Sequence, residues 1–269
     1  MKETEINRNS ELPPVVCHRY SERGFENLYV SVPEEKEITL YVNGQELVTL
    51  QCTPTKLNCL IVGFLYLEGI IEGINDILFM RVCEDENLAD IRIKNQSFAP
   101  PTRRILTSGC GGGTTFQSEL RKVDSDLKVK PDTILALIKE FNDALRDNKT
   151  TAGVHVSALS DTERVLVICE DVGRHNAVDK VMGECLLRRI DPHGKILFTT
   201  GRVSSEMLIK ASKMGIPIVV SRHSPTRRAL ALSEVAGITL VCHARTHMYS
   251  VFTFPERVGM EVIEQTRFK

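Results

Sequence analysis

At 269 residues the chain has room for one large domain or two modest ones, and its ordinary apolar and charged fractions belong to a folded globular protein. A formal net charge of -1 gives no general basic bias toward nucleic acid or a membrane surface, and no apolar run is long enough to span a bilayer. Residues 1–9 are polar and lack the apolar core of a secretory signal, so the chain is expected in the cytoplasm with its eight cysteines mostly reduced.

Taken in order, residues 1–20 read as a flexible tail ending near Pro13-Pro14, and strand patterns begin at Asn27. Runs 38–42 and 46–50 flank Asn43-Gly44, a pair suited to the two-residue type I′ turn of a hairpin. Thr53 is placed to N-cap a helix with Pro54 in its first position. Leu57, Leu60, Ile61, Phe64 and Leu65 recur at helical spacing, and Gly69 ends the segment. Strand-like runs 77–82 and 89–93 complete a small α+β unit over 21–125, from whose end a cysteine-bearing loop leaves.

The rest, 126–269, opens with a helix from Pro131 to about Leu145, its apolar face built from Ile134, Leu137, Ile138, Phe141 and Leu145. Strands are predicted at 154–159, 165–169, 196–200, 216–221, 238–243 and 249–254, and helices at 177–190, 205–214 and 226–236. Gly215 and Gly237 fall where C-terminal caps belong. Such alternation predicts an α/β domain with a largely parallel sheet covered by helices.

The loop is Thr107-Ser108-Gly109-Cys110-Gly111-Gly112-Gly113-Thr114-Thr115-Phe116. Four glycines make it a poor helix and a poor strand, so it reads as a mobile segment presenting one thiol. Cys169 and Cys242 lie in apolar runs and read as inert core residues, and no C-x-x-C pair suggests a zinc knuckle, an iron–sulfur cluster or a dithiol.

Three strand-to-helix turns share a composition: 170–176 with Arg174 and His175, 201–205 with Arg202, Ser204 and Ser205, and 221–226 with Arg222 and His223. Ligands of α/β sheets bind along that edge, where helix N-termini offer free N–H groups and arginine grips phosphate bidentately. The repetition predicts a polyanion site, and Glu170 or Asp171 is placed to accept hydrogen bonds from a guanine base. His175, His223 and His243 match no zinc spacing, Ser204 and Ser224 sit at N-cap positions, and there is no G-x-S-x-G elbow.

The eleven residues Glu170 to Lys180, with 200–207 and 221–226, resemble the signature of the formate dehydrogenase accessory sulfurtransferase family, FdhD. The resemblance runs from about Glu37 to the C-terminus. It implies a cytidine-deaminase-like three-layer C-terminal domain beside the smaller α+β domain, and a homodimer. It further implies that sulfur is taken from a cysteine desulfurase as a persulfide and passed to the molybdenum bis(molybdopterin guanine dinucleotide) cofactor of formate dehydrogenase. GDP would mimic one end of that cofactor, and no zinc is implied. Cys110 occupies the position of the persulfide cysteine, and Phe252, Thr253, Phe254, Pro255, Glu256 and Arg257 match the cofactor-binding stretch. The second cysteine of the family's C-G-x-C-G loop is replaced by Gly113.

Two rivals follow. A zinc nucleoside deaminase needs H-x-E and P-C-x-x-C, and neither occurs. A non-covalent chaperone for the molybdenum cofactor needs no carrier thiol, and it is the alternative that the lost loop cysteine leaves open.

Overall fold

The computed structural model describes residues 14–101, 105–106, 114–115, 119–147 and 153–261. The first surprise is a hairpin, β1 (Val15–Ser21) and β2 (Gly24–Val30), where the sequence reading placed the end of a tail. Its alternation was hidden because most of its large side chains face solvent.

The small unit is a four-stranded sheet in the order β4-β3-β6-β5, from β3 (Lys36–Val42), β4 (Gln45–Cys52), β5 (Ile77–Cys83) and β6 (Leu88–Ile93). Asn43 and Gly44 both take positive φ, 50° and 80°, as a type I′ turn requires. The alternating Ile38, Leu40 and Val42 are buried with helix α1 (Leu57–Leu67) in one core, together with Leu60, Ile61, Phe64 and Leu65. Helix α1 starts later than expected. Its N-cap is Lys56 in left-handed conformation, because Thr53 is bonded elsewhere. Short strands β7 (Ile105–Leu106) and β8 (Thr114–Thr115) pair beyond this sheet.

The large unit comprises α2 (Pro131–Asp147), β9 (His155–Ser160), β10 (Val165–Asp171), α3 (Arg174–Arg188), β11 (Ile196–Thr199), α4 (Ser205–Lys213), β12 (Ile218–Ser221), α5 (Arg227–Ala236), β13 (Thr239–Arg245) and β14 (Met248–Val251). The strand order is β10-β9-β11-β12-β13-β14. The sheet is mixed rather than largely parallel: β11, β12 and β13 run parallel, whereas β9 is antiparallel to both its neighbours and β14 to β13. The short β9–β10 and β13–β14 connections are hairpins, and hairpins force antiparallel pairing. One face packs on α2 through Ile134, Leu137, Ile138 and Phe141; the other packs on α3, α4 and α5 through Val178, Val181, Leu208, Ala211 and Ala229. The expected boundary at 125/126 falls inside a segment that already belongs to the large unit, since Val123 sits in its core and bonds the Ala236 carbonyl at 2.7 Å.

The two units meet where α1 crosses α3. A Cβ at Gly63 would lie 1.8 Å from the Asp179 carbonyl oxygen, and one at Gly183 would lie 1.8 Å from that of Cys59. Only glycine at both positions lets the backbones approach so closely. Around this crossing, buried polar groups close on one another. Lys180 bonds Asp171 at 2.7 Å and the Thr53 and Glu170 carbonyls at 2.9 and 3.1 Å. Lys210 holds Asp179 at 2.5 Å, with Glu68 at 3.9 Å. Among the described residues no helix is long and apolar enough to cross a membrane.

Candidate functional site

At one edge of the large sheet, the turns after β11 and β12 are tied together. Arg222 N–H donates to the Thr199 carbonyl at 3.3 Å, Thr226 N–H to that of Val203 at 2.9 Å, and the Ser221 hydroxyl to that of Gly201 at 2.7 Å. The turn after β10 joins them across β9, whose first residue, His155, lies at the same edge. Gly201 makes this possible. A Cβ there would stand 3.0 Å from the Cβ of Arg174 and 3.4 Å from Nδ1 of His155, so a side chain would push the neighbouring turns apart.

The structure therefore brings together Arg174, His175, Arg202, Ser204, Ser205, Arg222 and His223. Arg174 is buried, Arg222 half-buried, and Arg202 and His223 exposed. Each turn feeds a helix N-terminus: Gly173 caps α3, Ser204 caps α4 by accepting from Met207 N–H, and Thr226 caps α5. Ser224 is not a cap; its hydroxyl lies 2.8 Å from Nε2 of His243.

Beside these caps, Nε2 of His175 lies 3.5 Å from the Ser204 hydroxyl and 3.6 Å from the Glu206 carboxylate. Ser204 donates to Glu206 at 2.8 Å. The hydrogen bond from His175, against the cost of burial, holds Glu206 down to about 2, whereas burial holds His175 below the usual histidine range. His155 is lowered too, by burial first and then by Arg174 and His223. The edge thus gathers three arginines beside two histidines whose burial favours the neutral ring, His155 and His175, and bonds its nearest carboxylate internally, which suits a polyanion.

One expectation needs correction. Asp171 is fully buried, with Oδ2 accepting from Lys180 and Thr53 N–H and Oδ1 from Gly173 N–H and Asn176. No acceptor on it faces a guanine base, because the closing of the two units claims both oxygens. The stretch 252–257, the other part of the expected cofactor site, lies apart from the arginine turns. Strand β14 runs antiparallel to β13 and carries the chain to the opposite edge, where Arg257 donates to the Gly237 carbonyl at 2.7 Å and the Thr239 hydroxyl at 3.1 Å. Thr253 is buried against Ile238 and Leu240, Phe254 stacks under Arg257 at 5.6 Å, Pro255 opens a short 3-10 turn, and Glu256 is exposed. Only Phe252, edge-on to His243 at 5.6 Å, faces back toward the turns.

Sequence reasoning missed His155, Glu206 and Arg245. The Arg245 guanidinium donates to the Arg222 carbonyl at 2.7 Å from the end of the third parallel strand. A cleft of about 340 Å³ opens between this edge and α2, lined by Asn142, Arg146, Val154, Thr200, Arg222 and Thr246 among others. Cys110 and its glycines lie outside the described residues. Of the other cysteines, burial pushes the Cys52, Cys185 and Cys242 thiols up to about 12, and raises Cys169 and Cys59 as well.

Comparison with known proteins agrees in kind. The FdhD/NarQ family model matches residues 33–259. A protein of Bacillus pumilus (strain SAFR-032) named sulfur carrier protein FdhD is 37% identical over 251 residues, covering 90% of this chain and 96% of that one. One of the same name from Thermoplasma acidophilum is 36% identical over 251 residues, covering 87% and 89%. The crystal structure of a formate dehydrogenase accessory protein from Desulfotalea psychrophila superposes with a TM-score of 0.75 at 28% identity, covering 92% of this chain and all of that one. With residues 33–259 matched by its model, this chain belongs to the FdhD/NarQ family.

Proposed function

We propose that the protein is a cytoplasmic sulfur carrier serving formate dehydrogenase. It takes sulfur from a cysteine desulfurase on Cys110 and delivers it to molybdenum bis(molybdopterin guanine dinucleotide) held at the arginine edge, with a large unit of cytidine-deaminase-like form. The observation that carries the reading is the union of three arginine-bearing turns at one sheet edge beside three helix N-termini. The cofactor carries two pyrophosphates, and arginines on adjacent turns match several phosphates better than one.

A carrier sulfur must be nucleophilic as a thiolate. Raised thiols in five other cysteines make them poor carriers, which supports Cys110. In the loading step the Cys110 thiolate attacks the outer sulfur of the donor's persulfide. The donor S–S bond breaks, its cysteine leaves as thiolate, and the new S–S bond forms on Cys110 with no net redox change.

Incubation with a cysteine desulfurase and cysteine should add the mass of one sulfur atom, removable by reductant. Cys110→Ala should show no such gain and should leave formate dehydrogenase inactive in a strain lacking its own copy, with GDP affinity unchanged. A Cys110→Ala protein that takes up no sulfur and still activates the dehydrogenase overturns the carrier role. The non-covalent chaperone reading would then stand.

A further inference from the structure

Strand β9 runs against both of its neighbours, so its first residue, His155, stands at the arginine edge opposite Asp171 of β10. Side chains of a strand alternate between the two faces of its sheet. Val156 and Ala158 belong to the core under α2, whereas Leu159 belongs to the core under α3, α4 and α5. His155 therefore lies on the face from which the three capped helices rise. The clearances at Gly201 agree, since a Cβ there would touch both Cβ of Arg174 and Nδ1 of His155. The imidazole is half-buried, and its ring makes no hydrogen bond to another described residue.

The surroundings of His155 differ from those of His175. His175 points Nε2 at the Glu206 carboxylate, 3.6 Å away, and has Lys210 and Arg174 as the cations near it. Around His155 stand Arg174 of α3, His223 of the turn after β12 and Asp171 of β10. Both oxygens of Asp171 are already taken by Lys180, Thr53, Gly173 and Asn176. Burial, and after it Arg174 and His223, hold His155 below the usual histidine range, and Asp171 does not offset them. His175 thus has a counter-charge within the fold, and His155 has none to itself.

We infer that His155 is a further binding residue of this edge, and that it takes up a proton as a pyrophosphate diester is seated beside Arg174. The inference rests on the reading of the edge as a phosphate site. A phosphate brings negative charge to the arginines and the ring, which reverses the field that keeps the imidazole uncharged. The proton comes from solvent and goes to the unprotonated ring nitrogen, and no other bond changes. The imidazolium then donates from both nitrogens, whereas the neutral ring donates from one. Arginine keeps its charge at every pH a protein meets, but histidine titrates near 6.5, so a shift from below that value to above it crosses neutral pH. By linkage, such a site holds its ligand more tightly as pH falls and releases it as pH rises.

The test is calorimetric titration of the full chain with diguanosine 5′,5′-pyrophosphate, whose two phosphates are diesters and do not ionise between pH 6 and pH 8. Titrations at constant ionic strength in two buffers of different ionisation enthalpy count the protons taken up. The parent should take up about half a proton at pH 7 and bind at least about fivefold more tightly at pH 6 than at pH 8. His155→Gln, verified as folded by circular dichroism, should lose the uptake and bind within about twofold at the two pH values. His193→Gln, beside Gly215 and before the other end of β11, should behave as the parent. Binding by the parent without proton uptake, uptake that persists in His155→Gln, or uptake lost equally in His193→Gln would each overturn the assignment and leave the arginine edge standing. A parent that does not bind the dinucleotide at all would overturn the phosphate site itself, and this inference with it.

Discussion

Lys180, in the middle of α3, and Arg202, in the turn before α4, are both cations, yet one is 0% exposed and touches four oxygens while the other stands in solvent. Taking an ammonium out of water costs several kcal/mol, and only a full set of acceptors offsets it. Lys180 has that set in Asp171, the Thr53 and Glu170 carbonyls and the Thr55 hydroxyl, drawn from both units. Exposed cations contribute little to stability. The comparison teaches which charges serve the fold and which are free for a ligand: the junction closes on itself, and the edge stays open.

The sharpest way to break that contrast is to remove a junction charge. Lys180→Met leaves the Asp171 carboxylate buried without its counter-charge, and should lower stability by about 3–5 kcal/mol. Urea unfolding at pH 7 checks it, alongside Arg202→Ala, which should stay within about 0.5 kcal/mol of the parent. Equal unfolding midpoints for the two variants would show that burial does not separate them.

The next largest effect concerns the edge. Arg202→Ala and Arg222→Ala should each cost about 1.5–3 kcal/mol of GDP affinity, the scale of charge-assisted hydrogen bonds, measured by calorimetric titration. Arg174→Ala should cost affinity and stability together, because its stem packs over Gly201 between two turns. Parent-like GDP binding in both Arg202→Ala and Arg222→Ala would remove the anion site and leave the junction argument standing.

What could be read ahead of the structure follows from the range of the interactions involved. The Asn43-Gly44 turn and the apolar stripe of α2 are local, fixed by backbone preference and by 3.6-residue spacing, and both are found. The three arginine turns were legible for the same reason: each is a short strand-to-helix connection. Asp171 was misread because its partners, Lys180 and Thr53, lie 9 and 118 residues away, and nothing local announces a buried pair across two units. Thr53 looked like a cap, but its N–H and hydroxyl serve Asp171 and Val172. The hairpin at 15–30 was unread because its large side chains show no burial pattern within one chain. His155 entered the edge only through the antiparallel course of β9, which the alternation of strands and helices does not encode.

The smallest effect is the acid response of the His175 cluster, and its sign separates edge from junction once more. Burial lowers the folded pKa of His175 below the unfolded 6.5, so the unfolded chain binds more protons as pH falls through that value. The stability His175 contributes is therefore present above pH 6.5 and lost on acidification toward its folded pKa. Glu206 adds a second step of the same sign. Its carboxyl, held at about 2 against 4.5 when unfolded, contributes above pH 4.5 and loses that contribution between 4.5 and 2. Urea unfolding of the parent and of His175→Asn at pH 8, 7, 6 and 5 isolates the first step. The difference between the two proteins should be greatest at pH 8 and shrink steadily by pH 5. A difference that grows on acidification would mean that protonated His175 pairs with Glu206 strongly enough to overcome burial, making this corner of the edge a closed ion pair like those of the junction.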